Sequence, residues 1–76
     1  MEIIYTIHAR QRMIKRNVTE QEVEDTLSDP DDVELGDNGG DIAIRRYGWR
    51  EVHVVFREVE PDTYLVFTVI KLRVRE

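Results

Sequence analysis

The chain has 76 residues, no cysteine, 11 lysines and arginines against 16 aspartates and glutamates, and a formal net charge of −5. That length suits one domain, residues 1–76, with a small core and modest stability. The composition excludes disulfides and thiolate metal sites, and no apolar run nears the roughly 18 residues of a membrane span.

The opening Met1-Glu2-Ile3-Ile4-Tyr5 has neither the basic start nor the cleavage site of a secretion signal, so the expected setting is the cytoplasm, away from membranes. Charge is unevenly spread. Residues 1–18 hold four basic and one acidic side chain, and residues 19–42 hold ten acidic and no basic ones. Residues 43–58 hold four basic and two acidic, and residues 59–76 hold three of each. An acidic middle between two basic zones can leave a local basic face on an acidic protein, and that local field is what a polyanion meets first.

Ile3-Ile4-Tyr5 reads as a short N-terminal edge strand. Thr6 can cap a helix from about Ile7 to Arg16, because its hydroxyl oxygen can accept an orphan amide of the first turn. Asn17 suits a left-handed C-cap. Thr19-Glu20-Gln21-Glu22 matches the capping box, and Val18 and Val23 bracket it as a hydrophobic staple. This predicts a second helix from Glu20 to Ser28, stopped by Pro30.

The remainder alternates as strands do. Asp32 to Leu35 is a short one, and Gly36-Asp37-Asn38-Gly39-Gly40 is a turn. Ile42 to Tyr47, Glu51 to Val59 and Tyr64 to Val74 follow, with turns at Gly48 and Pro61-Asp62. Tyr64 to Ile70 is apolar on both faces, which places it centrally. The predicted fold is α+β: two N-terminal helices packed on one face of a three- to four-stranded antiparallel sheet.

At 100° per residue, His8, Arg12, Lys15 and Arg16 share a sector of about 100° on the first helix. Ala9 and Met13 lie beyond one edge of it, and Ile7 and Ile14, on the far side, are expected to meet the core. The acidic second helix, with Glu20, Glu22, Glu24 and Asp25, can neutralise Lys15 and Arg16. Such pairs are worth only about 0–1 kcal/mol each and would not keep a polyanion away. His8 and Arg12 are read as functional.

A three-residue connection Tyr47-Gly48-Trp49 would pair Ile44 with Val52 and Ala43 with His53, and a turn at residues 61–63 would set His53 opposite Lys71. The alternative register would carry Lys71 and Arg73 to the core face, where burying cations is costly. The preferred register gathers Arg45, Tyr47, His53, Arg57, Lys71 and Arg73 on one polar sheet face.

The run His8-Ala9-Arg10-Gln11-Arg12-Met13, with Arg16 and then Thr19-Glu20-Gln21-Glu22-Val23, resembles a family of small prokaryotic domains. These have an H-A-x-x-R-M helix followed by a T/S-x-x-E-V helix. That family in turn resembles the RelE/ParE/BrnT-type toxin superfamily. The resemblance implies a RelE-like fold and a metal-independent endoribonuclease of a toxin–antitoxin pair, with no cofactor. Its partners would be a cognate antitoxin, RNA or the ribosome, and the chain a monomer or weak homodimer.

Such cleavage has the RNA 2′-hydroxyl attack its own phosphate, which needs a base, an acid and cations around a doubly charged phosphorane. His8 and His53 would serve as base or acid, with Arg12 and Lys71 completing a catalytic set. Arg16, Arg45, Tyr47, Arg57 and Arg73 would bind the nucleic acid, and Trp49 could stack on a base. The net negative charge leaves a second reading open: a non-catalytic module that binds nucleic acid or a protein partner. Two histidines in different elements lack metal-ligand spacing, and there is no glycine-rich phosphate loop and no legible Ser/His/Asp grouping.

Overall fold

The computed structural model describes residues 1–36 and 40–74. Seven elements follow in order: β1 (Glu2–Tyr5), α1 (Ile7–Arg16), α2 (Glu20–Ser28), β2 (Asp32–Glu34), β3 (Asp41–Tyr47), β4 (Arg50–Glu60) and β5 (Thr63–Arg73). Asp37, Asn38 and Gly39, from the expected turn after β2, lie outside the described residues.

Both helices end as their flanking residues dictate. Thr6 accepts the Ala9 amide at 3.0 Å through its hydroxyl oxygen, which also donates to the Phe67 carbonyl at 3.1 Å, so the cap ties α1 to β5. Asn17 closes α1 in the left-handed conformation, with φ 56° and ψ 49°. The capping box of α2 is complete: Thr19 accepts from the Glu22 amide, and Glu22 accepts from the Thr19 amide.

The sheet departs from the expectation in two ways. It has five strands, ordered β1-β5-β4-β3-β2, and it is mixed, because β1 runs parallel to β5. A hairpin turn can signal an antiparallel neighbour. The partner of β1 lies some sixty positions away, where no local pattern announces it. The doubly apolar start of β5 does sit between two neighbours, β1 and β4.

Register also differs. Tyr47 pairs with Arg50, so the β3–β4 turn is only Gly48-Trp49, and Ile44 faces His53 rather than Val52. Positive φ falls on Gly48 (63°) and not on Trp49, the pattern of a type II′ hairpin, whose twist matches the strands. Between β4 and β5 the turn is likewise two residues, Pro61-Asp62, with Glu60 facing Thr63. Bulges at Val59 on β4 and Phe67 on β5 cancel each other, leaving His53 opposite Ile70 and Lys71 opposite Val52.

These pairings split the polar face that the sequence suggested. Arg45, Tyr47, Lys71 and Arg73 lie on the side the helices cover, together with Val52 and Val54. His53 and Arg57 lie on the open side. The burial cost expected for Lys71 is met at the rim of the core. Its ammonium donates to the Asn17 carbonyl at 3.0 Å and stands 3.3 Å from a Glu22 carboxylate oxygen.

The core joins Ala9, Met13, Val18 and Val23 to Ala43, Val52, Val54, Phe56, Val66 and Val69. Here the reading of α1 is corrected. Its inward stripe is Ala9 and Met13, whereas Ile7 and Ile14 are 80% and 83% exposed. A small residue at position 9 lets α1 close onto β5, and 3.6 residues per turn then points Ile7 and Ile14 nearly the opposite way. His8, Arg12 and Arg16 are left on one flank, beside β5.

Candidate anion-binding site

The turn that sets the β3–β4 register also builds the site. Trp49 occupies the second turn position, and Arg50 opens β4 directly across from Arg73. Cations facing one another across a sheet repel. Here the guanidinium carbons of Arg50 and Arg73 each stand 4.5 Å from the centre of the Trp49 ring. The indole quadrupole attracts both and offsets part of that repulsion. The Val74 amide donates to the Trp49 carbonyl at 2.7 Å and holds the end of β5 against the turn.

Arg16, in the last turn of α1, completes the surround. Together with Asn17, Trp49, Arg50, Lys71, Leu72 and Arg73 it lines a hollow of about 290 Å³. The C-terminus of a helix favours a cation, which lowers the cost of placing Arg16 there. Lys71 is committed to Asn17 and Glu22. Arg16, Arg50 and Arg73 have no carboxylate partner among the described residues.

Arg16 also borders a second hollow of about 290 Å³, lined by His8, Arg12, Thr68, Val69 and Ile70. Arg12 Nε donates to His8 Nε2 at 3.4 Å, a long contact within this hollow. The two hollows make one belt along β5, from His8 and Arg12 through Arg16 to Arg50 and Arg73.

The other residues proposed from sequence are placed elsewhere. His53 is on the open sheet face, with Nε2 2.9 Å from Glu51 Oε1; Arg46 Nε donates to the same carboxylate at 3.0 Å. Those hydrogen bonds, His53 first and then Arg46, hold the Glu51 carboxyl below its ordinary value. His8 and His53 are therefore separated by the sheet and do not meet as an acid–base pair.

Arg45 turns under the end of α2, where Nη1 donates to the Asp29 carbonyl at 2.6 Å and to its carboxylate at 3.2 Å. Arg45 Nε and the Tyr47 hydroxyl are buried and have no partner among the described residues. Arg57 faces Leu65 on the open side, toward the Pro61-Asp62 end of the sheet.

The acidic second helix does not neutralise Lys15 and Arg16. Its ion pairs are Arg10 with Glu20, and Lys71 with Glu22. Arg10 also lies 4.1 Å over the Tyr5 ring. Arg50 was not singled out from sequence, although a glycine at the first turn position was the signal that would have set it opposite Tyr47 and so beside Arg73.

No group of three or more His, Cys, Asp or Glu side chains that could hold a metal occurs among the described residues, and no helix among them is long and apolar enough to cross a membrane.

Fold and site together define a small α+β domain in which two helices cover one face of a five-stranded mixed sheet and a guanidinium-rich hollow opens at one end. The chain belongs to the family described as Domain of unknown function (DUF4258), whose model matches residues 5–71. No curated protein and no solved structure matches it.

Proposed function

We propose that this chain is an RNA-binding domain of the RelE/ParE toxin type, which holds a single strand by its phosphates along the belt from Arg12 to Arg73. The observation that carries this reading is the set Arg16, Arg50 and Arg73, gathered around one hollow without carboxylate partners among the described residues. Guanidinium groups offer a planar fork of donors matched to phosphate oxygens. Trp49 serves better as the holder of two arginines than as a stacking platform, because a base arriving on its ring would compete with guanidiniums at 4.5 Å. The guanidinium planes themselves can stack on bases.

Cleavage is the second reading, and the contact of His8 with Arg12 inside the belt favours it. To take a proton from a 2′-hydroxyl, His8 Nε2 would have to exchange the Arg12 Nε–H it now accepts for the substrate, which would leave Arg12 and Arg16 to bind the phosphate. A partner acid on the same face is the missing part, since His53 lies across the sheet and the Lys71 ammonium is already engaged. Binding is thus better supported than catalysis.

Trp49 is the sole tryptophan, so its fluorescence reads the site directly. Titration with a single-stranded RNA oligonucleotide is expected to change that fluorescence. With three phosphates neutralised, log K should fall against log salt with a slope of about −2. The double variant R50A/R73A should bind at least tenfold more weakly. Binding that ignores salt, or an unchanged double variant, would overturn the reading.

A further inference from the structure

β5 is 11 residues long, but β1 pairs only with its first part, Thr63 to Val66. Thr6 extends the cover slightly: its amide donates to the Val66 carbonyl and its hydroxyl to the Phe67 carbonyl, each at 3.1 Å. From Thr68 to Arg73 no strand among the described residues lies on that edge. Alternate backbone N–H and C=O groups of such an edge point outward and can template another strand.

The opposite edge of the sheet is managed differently. β2 is only three residues long and sets Asp32 and Glu34 in solvent, two ordinary protections against pairing. The free half of β5 is instead walled by the basic flank of α1. His8 and Arg12 line the hollow beside Thr68, Val69 and Ile70, and Arg16 reaches on to Lys71, Leu72 and Arg73, so the helix runs along the strand.

We infer that this groove receives an extended acidic peptide segment of a protein partner, which adds as a strand to the Thr68–Arg73 edge and sets its carboxylates on His8, Arg12 and Arg16. The spacings agree. Residues four apart on a helix are separated by about 6 Å along its axis. Alternate side chains of a strand are about 6.7 Å apart. Carboxylates at every second position can therefore meet successive turns of α1. The intervening side chains fall toward Ile70 and Leu72 on the open face, where Leu72 is 43% exposed, which suits aliphatic residues. The added strand would be about six residues long, the length of the free edge.

This partner surface does not rest on the RNA reading, although the groove shares Arg12 and Arg16 with the belt proposed for RNA. The test uses the full chain, labelled with ¹⁵N, and the hexapeptide acetyl-(Glu-Val)₃-amide. One control has alternate amides N-methylated; another has lysine in place of glutamate. The parent peptide should slow hydrogen exchange at Thr68–Arg73 and bind at least tenfold more tightly than either control. The variant R12E/R16E, which alters no core side chain, should weaken the parent at least tenfold and bind the lysine peptide better.

Equal binding by the N-methylated peptide would show that no strand is added. Equal binding by the lysine peptide would remove the charge argument, and no binding, or protection confined to other residues, would overturn the inference outright. If single-stranded RNA protects Thr68–Ile70 and the peptide does not, the groove belongs to nucleic acid instead. Peptide binding without RNA binding would leave this inference standing and remove the RNA reading.

Discussion

Arg50 and Arg73 face each other across β4 and β5, and the ring of Trp49 lies 4.5 Å from the guanidinium carbon of each. Two cations so placed are an electrostatic cost that the fold carries, partly relieved by the indole.

Trp49→Leu removes that relief. Each exposed cation–π contact contributes about 0.5–1 kcal/mol, so losing both should destabilise the chain by about 1–2 kcal/mol in urea unfolding. The uncovered repulsion is screened by salt, and the variant should recover stability between low and high ionic strength more than the parent does. Equal salt responses would show that the ring does not shield the two arginines.

Lys71 and Glu22 form a pair in which the two ends carry unequal weight. Glu22 also closes the capping box on the Thr19 amide at 3.0 Å. Glu22→Ala should therefore cost about 1–2 kcal/mol through the cap as well as the pair. Lys71→Met keeps the aliphatic stem and leaves Glu22 partly solvated and bonded to the Thr19 amide, so it should cost less than Glu22→Ala. Thermal unfolding of both variants distinguishes them, and a larger loss for Lys71→Met would contradict this division.

The inward stripe of α1 is tested by volume. Ala9 is fully buried where the helix meets β5, so Ala9→Leu overpacks the contact and should cost at least about 1–3 kcal/mol. Ile14→Glu, at an 83% exposed position, should stay within about 0.5 kcal/mol of the parent. The reverse ranking in denaturant midpoints would restore the isoleucine face as the core.

Glu51 predicts an acid-dependent stability. Its carboxyl is held below the ordinary value of 4.5, first by the His53 hydrogen bond and then by Arg46. A group depressed in the folded state adds stability above its unfolded value and loses it as pH falls through the folded one. The stability gap between the parent and Glu51→Gln should thus be widest above pH 4.5 and close in more acidic solution. Urea unfolding at several pH values from neutral to acidic reads it directly. A gap that does not narrow in acid would mean that the carboxylate gains nothing from its two donors.

Much of the helical half was legible because its signals are local. Thr6, Asn17 and the Thr19–Glu22 box announce their own hydrogen bonds within four residues, and both helices fall where those residues put them. The inward face of α1 was misread because hydropathy favoured Ile7 and Ile14. The geometry instead rewarded a side chain small enough at Ala9 for helix and sheet to touch. On the sheet, strand positions were legible from alternation, but faces were not. One residue of turn length decides them all, and the bulges at Val59 and Phe67 leave no clear mark in the sequence. The parallel pairing of β1 with β5 was hidden for the same reason: its determinant is a distant contact.

The candidate site divides in the same way between local and register-dependent residues. His8, Arg12 and Arg16 share a helix flank whatever the sheet register, and they are found together. Arg45, Tyr47, His53, Arg57, Lys71 and Arg73 depended on register, and they divide between two faces and both ends of the sheet.

An anionic strand held by guanidinium groups around Trp49 would be visible in ¹⁵N chemical-shift mapping with single-stranded RNA. The indole N–H of Trp49 and the guanidinium Nε–H signals of Arg16, Arg50 and Arg73 should move together and saturate at one RNA concentration, while His53 and Glu51 across the sheet stay in place. Shifts centred on His53 and Glu51, or none at the three arginines, would contradict it.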